Sequence, residues 1–147
     1  MSSDDSRQAL VNQLSDMTLP MMWVLRQDAM HAFEPLGIRP FKALLLELIA
    51  RGFQHPKALS EILDTLPPTV SAMLAELEEK ALITRQIDPS DRRRVQLALS
   101  EKGHHLRADL REHWHAVGRE RLQQLSEDDL ATLLRIYTKL LEGHEGT

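Results

Sequence analysis

Residues 57–99 place the tightest constraint on how this chain folds. Two short apolar helical repeats are parted by only Thr65-Leu66-Pro67-Pro68, and two β-type runs follow them. In the first repeat, Leu59, Ile62 and Leu63 are expected to face inward. In the second, Val70, Met73, Leu74 and Leu77 fall at i, i+3, i+4 and i+7, which makes one clean helical face from Pro67 to about Lys80. Leu82 to Ile87 then reads as a strand, Asp88-Pro89-Ser90-Asp91 as a turn, and Val95 to Leu99 as a second strand, a hairpin with Arg92, Arg93 and Arg94 at or just past its tip.

The flanks are helical. Leu10, Leu14 and Met17 predict a short helix near 6–17, and Thr18-Leu19-Pro20 predicts an interruption. A second helix is expected from about 20 to 34, closed by Pro35-Leu36-Gly37. Phe41, Leu44, Leu45, Leu48 and Ile49 predict a helix over 39–51, apolar around much of its circumference and so buried between other elements. Gly52 closes it, and Phe53-Gln54-His55-Pro56 reads as a loop. After the hairpin, Ser100 is the candidate N-cap of a long helix that continues to Leu125. Ser126 with Asp129 fits a capping box before a last helix striped by Leu130, Leu133, Leu134, Tyr137, Leu140 and Leu141.

This order predicts a mainly α fold with a small β-wing: a winged helix-turn-helix between flanking helices. A B-DNA major groove admits one α-helix, a preceding helix braces it, and a hairpin alongside can carry cations to the flanking backbone. The helix opening at Pro67 would present Pro68, Thr69, Ser71, Ala72, Ala75 and Glu76 outward. Charge distribution points the same way. The net charge is −4, yet residues 80–107 hold seven bases against three acids, while each of the remaining stretches is net acidic. A local positive patch is what phosphate neutralisation requires.

The hairpin also carries a resemblance. Asp88-Pro89-Ser90-Asp91-Arg92-Arg93-Arg94, followed by Leu97-Ala98-Leu99-Ser100-Glu101-Lys102-Gly103, resembles the wing of the MarR family of multiple-antibiotic-resistance regulators. That wing has an Asp-x-Arg and then a Leu-Thr/Ser-x-Lys-Gly. Thr69-Val70-Ser71 and Leu77 to Ile83 resemble the family's recognition helix and its exit, and Pro35-Leu36-Gly37-Ile38 resembles the entry to its second helix. The likeness covers about 20–143. It implies a cytoplasmic transcription regulator that binds double-stranded DNA as a homodimer, its two recognition helices on successive grooves of a pseudo-palindromic site. It implies dimerisation helices over 1–36 and 104–147 and a DNA-binding region over 37–103. Asp91 would brace the wing, Arg93 would carry the wing's DNA contact, and Arg92 and Arg94 would hold phosphates. Family members place an arginine where this chain has Ala72, and Glu76 stands where a base is common. Binding is therefore expected to depend on the wing, with a winged-helix protein-interaction module as the alternative.

Other chemistry has little footing. There is no cysteine, which excludes disulfides and thiol redox sensing. No apolar run approaches the roughly 18 residues that a membrane helix needs, and the polar start Met1-Ser2-Ser3-Asp4-Asp5 is unlike a signal peptide. No phosphate loop or nucleophile elbow occurs, so no enzyme activity and no cofactor are expected. His104-His105, His113, His115 and His31 lack the i, i+4 spacing of a zinc site, and no metal is expected. Met21, Trp23 and Trp114 are candidate linings of a pocket for a small aromatic effector, with core and dimer packing as the alternative.

Overall fold

The computed structural model describes residues 3–142. Met1 and Ser2 of the polar start, and 143–147 at the end of the expected C-terminal dimerisation region, lie outside the described residues. Helix α1 (Ser3–Phe33) leads through a 3₁₀ turn (Glu34–Leu36) to α2 (Pro40–Ala50), α3 (Pro56–Ile62) and α4 (Pro67–Glu79). Strands β1 (Ile83–Ile87) and β2 (Val95–Leu99) follow, then α5 (Glu101–Leu122) and α6 (Glu127–Leu141). The chain divides into two compact units, one ending at Trp114 and one starting at His115.

Proline sets the starts of the short helices. Pro40, Pro56 and Pro67 each stand in a first turn, where no side chain caps the free N–H groups. A first-turn proline has no N–H to leave unpaired, and its fixed φ suits the helix. The break at Pro67 leaves α3 and α4 almost abutting. Asp64, at φ 45°, makes the sharp exit from α3, a conformation that aspartate tolerates better than most residues. Ala81, at φ 58°, ends α4 the same way at a cost of about 1 kcal/mol. The Leu82 N–H then donates back to the Leu77 carbonyl at 2.9 Å.

The core of the first unit is built from every one of its later elements. Leu45, Leu46, Leu59, Val70, Leu74, Leu77 and Leu97 are its largest fully buried side chains. Ile38, Ile49, Leu82, Ile83, Leu99 and Leu110 complete the same cluster. The strands pair antiparallel from Ile83 opposite Leu99 to Ile87 opposite Val95. Only Ile83 of β1 is buried, so the hairpin's far end stands out from the core.

Three local expectations are corrected. The N-terminal segment is one helix of 31 residues rather than two, and Pro20 lies inside it. A proline removes one i→i−4 bond and crowds the preceding turn, but strong helix formers on both sides carry the helix through, and Thr18 Oγ1 donates to the Leu14 carbonyl just before it. Ile62 is exposed rather than inward, because α3 ends there and Leu63 turns back toward the core instead. Helix α2 is not wrapped on all sides: Phe41 and Leu44 remain exposed. The capping box is present as read, with Asp129 N–H donating to Ser126 Oγ and Ser126 N–H to Asp129 Oδ2.

Candidate nucleic-acid interface

The wing tip is organised by two aspartates. Asp88 closes β1 and is buried. Its Oδ1 accepts from the Ser90 N–H at 2.8 Å and the Ser90 hydroxyl at 2.6 Å, the aspartate turn that Asp-Pro-Ser favours. Those Ser90 bonds, with His55 beside the carboxyl, hold Asp88 below the usual carboxylate range. Asp91 sits at the tip itself. Its Oδ1 accepts from the Arg93 N–H at 3.0 Å and lies 3.4 Å from Arg93 Nε. Its carbonyl accepts from Arg94 N–H, and the Asp88 N–H donates to the Arg94 carbonyl, closing the loop. Arg92, Arg93 and Arg94 are all exposed, Arg93 at 91% of its side-chain surface. The wing thus presents three guanidinium groups on a loop that its own backbone bonds hold in shape.

Helix α4 supplies the neighbouring element. Val70, Leu74 and Leu77 anchor it in the core, which leaves Pro68, Thr69, Ser71 and Ala72 exposed. No positive side chain occurs between Pro67 and Glu79. Two of the helix's acids already have partners. Glu76 is paired with Lys42 of α2, which holds its carboxyl below the usual range. Glu78 accepts from Arg85 Nε of β1 at 2.6 Å. Lys42 and His55 are not legible in the sequence as site residues, because their partners, Glu76 for one and Val95 for the other, lie 34 and 40 residues away.

A cleft of about 790 Å³ opens between the end of α1, α2 and α5. Phe33, Leu44, Arg51, Arg107, Arg111 and Trp114 are among its lining residues. Phe33 and Trp114 meet as tilted rings with centroids 6.2 Å apart. Of the three pocket residues expected from sequence, only Trp114 lines this cleft. Met21 and Trp23 are exposed and stand apart from it. Trp23 precedes Phe33 by ten residues, about 15 Å along an uninterrupted helix, so only the last turns of α1 reach the cleft. Among the described residues no group of three His, Asp or Glu could hold a metal ion. His113 instead donates from Nδ1 to the Ala32 carbonyl. Among the same residues, no helix is long and apolar enough to cross a membrane.

Glu47 ties the cleft's walls together. It accepts from Arg107 of α5 at 2.7 and 3.2 Å and from Arg51 at 2.8 Å. The Arg107 bond, first among these, lowers its carboxyl from 4.5 to about 2. Because the folded value lies below the unfolded one, the stabilisation is present above about pH 4.5 and is lost as pH falls toward 2. Glu47→Gln should flatten that acid limb in thermal unfolding scans. At neutral pH it should cost on the order of 1 kcal/mol, since solvent screens a side chain one-third exposed. A variant whose acid limb runs parallel to the wild type's would disprove this role.

Known proteins share this arrangement. The MarR family model matches residues 43–95, the stretch from α2 to the start of β2. The chain is similar to the HTH-type transcriptional repressor MdtR of Bacillus subtilis, at 24% identity over 136 residues, covering 90% of this chain and 88% of MdtR. Wild-type E. coli MarR in its apo form superposes with a TM-score of 0.72 at 22% identity, covering 96% of this chain and 98% of that one. A single-residue variant of S. aureus MepR bound to an oligodeoxyribonucleotide gives 0.62 at 25% identity, with 88% and 96% covered. The fold is therefore that of the MarR winged-helix structures, and the stretch that carries α3, α4 and β1 is the part that matches the family model.

Proposed function

We propose that this protein is a regulator of the MarR family, a ligand-responsive repressor that binds a pseudo-palindromic operator as a homodimer in the cytoplasm. The observation that carries the reading is the triad of exposed arginines on a braced wing, next in the chain after a helix whose free face holds Thr69 and Ser71. Arg92, Arg93 and Arg94 would neutralise phosphates, and Pro68, Thr69, Ser71 and Ala72 would meet the major groove, where hydroxyls and small apolar groups can read base edges and thymine methyls. Asp91 would hold the wing's tip in shape. The homodimer is supported by apolar side chains left exposed at both ends of the chain: Leu10, Leu14 and Met17 on α1, and Leu134, Leu140 and Leu141 on α6. In this scheme residues 1–36 and 104–147 pair the chains and 37–103 bind DNA. The cleft walled by Trp114, Phe33 and arginines has the character to take a small aromatic acid. Repression is the direction named for MdtR.

Fluorescence anisotropy with duplex fragments from upstream of the protein's own gene tests this reading, alongside sedimentation for the dimer. Binding should be tight at about 50 mM salt and weaken steeply toward about 200 mM. Absence of any salt-dependent binding at the lower concentration would overturn it. That outcome would favour a second reading, a winged-helix module for protein interaction, which the lack of any cation along α4 supports.

A further inference from the structure

The loop between α2 and α3 is stitched to the outer edge of the wing. Leu97 N–H donates to the Gln54 carbonyl at 2.7 Å, and Gln96 Nε2 donates to Gln54 Oε1 at 2.9 Å. His55 then spans the wing's two strands. Its Nδ1 lies 2.9 Å from the Val95 carbonyl at the start of β2, and its Nε2 lies 3.2 Å from Asp88 Oδ2 just past β1. The ring is largely covered, and the Asp88 side chain more so.

Both of the ring's partners can only accept. A carbonyl has no proton to give, and an ionised carboxylate has none either. A neutral imidazole has one N–H, so one of its two nitrogens would turn a lone pair onto an oxygen; the imidazolium has two N–H groups and satisfies both. We propose that His55 is a positioning residue for DNA binding: in its protonated form it clamps the base of the wing, and so fixes where Arg92, Arg93 and Arg94 stand, and it loosens that clamp when it gives up the proton. The proposal rests on the reading that the wing contacts DNA. Asp88 is the carboxylate that faces the ring, and it makes the only ion pair with it among the described residues. Lys57, two residues after His55, and Arg94, one residue before Val95, are the cations of the two flanking segments closest in sequence to the ring and to its carbonyl partner. The Ser90 bonds keep Asp88 ionised and aimed at the ring.

The test is an anisotropy titration of the full chain on one duplex at fixed ionic strength, from about pH 6 to about pH 8, the range in which histidine ordinarily changes charge. Wild-type affinity should fall about fivefold across that range, the worth of one net hydrogen bond. His55→Gln, which has a single donor group in the ring's place, should bind about fivefold more weakly than wild type at the acid end and show a flat profile. Parallel profiles for the two proteins overturn the clamp. Should His55→Gln fail to fold, Asp88→Asn makes the same comparison, and a profile as steep as wild type's overturns it equally. Long-range ¹H–¹⁵N spectra of the ring, recorded with the amides of Ser90 and Leu97, separate the clamp from the DNA reading. If wild type ignores DNA but those amides move as the ring titrates, the clamp stands and the DNA reading falls. Amides indifferent to the ring's proton overturn the clamp itself.

Discussion

Gly103→Ala should lower the thermal midpoint by about 10 °C, more than the other single substitutions proposed above. A β-carbon added at Gly103 would lie 2.0 Å from the Leu82 carbonyl oxygen and 3.1 Å from its carbon. Real carbon atoms do not approach that closely, and the obstacle is backbone, so no rotamer change relieves it. The first turn of α5 would have to lift from the start of the wing. With it would go the Ser100 N–H bond to the Leu82 carbonyl at 3.0 Å, the Ser100 hydroxyl bond to the Ala81 carbonyl, and the Lys102 Nζ bond to the Lys80 carbonyl at 2.8 Å. Forcing a backbone apart at a packed contact costs about 3 kcal/mol. Gly118→Ala supplies the contrast on the same helix. A β-carbon there meets nothing within 4 Å, and replacing a mid-helix glycine gains roughly 0.5–1 kcal/mol. Equal midpoints for the two variants in calorimetry would show that the close approach at Gly103 is not real. The same contact gives a physical reason for the Lys-Gly that ends the wing motif: the helix lies directly on a carbonyl of the chain that leaves α4.

The second large effect is on DNA. Replacing Arg92, Arg93 and Arg94 together with alanine should weaken binding about a hundredfold and remove about one unit of salt slope for each arginine that holds a phosphate. Helix α4 brings no cation, and Glu76 and Glu78 are held by Lys42 and Arg85. Under the proposed function the wing then supplies the counter-charge for the DNA backbone. All sequences should suffer alike, because phosphate contacts carry no base identity. Ser71→Ala should act in the opposite manner, changing the preference among sequences while leaving the salt slope in place. An unchanged slope in the triple variant would move the electrostatic contact elsewhere on the protein.

The parts of the fold visible in the sequence were those governed by local chemistry. The spacing of Val70, Leu74 and Leu77 announced α4 and its buried face, Asp-Pro-Ser-Asp announced the turn, and Ser126 with Asp129 announced a helix start. Pro20 misled because its local penalty was outweighed by the good helix formers around it. Phe53 to His55 is the loop that its composition predicts, but its bonds to the wing, Gln54 with Leu97 and His55 with Val95, join residues about forty apart and leave no local signal. The same distance concealed His55 as a wing residue, and it concealed the Lys42–Glu76 pair. Met21 and Trp23 are pocket candidates only through the expected fold, and they stand apart from the cleft that Trp114 lines; which stretch of a helix reaches a cleft depends on tertiary packing. The three arginines were legible because a run of like charges at a turn needs no distant partner to be noticed.

The unbroken α1 has a consequence for the life of the protein in the cell. Thirty-one residues make a rod about 46 Å long, and its N-terminal half carries a greasy strip of exposed Leu10, Leu14 and Met17. Under the proposed pairing, a newly made molecule leaves the ribosome with a sticky end that its second copy shields. Under the proposed pairing, maturation and partner-finding become a single event, and the abundance of the regulator is tied to how quickly two copies meet.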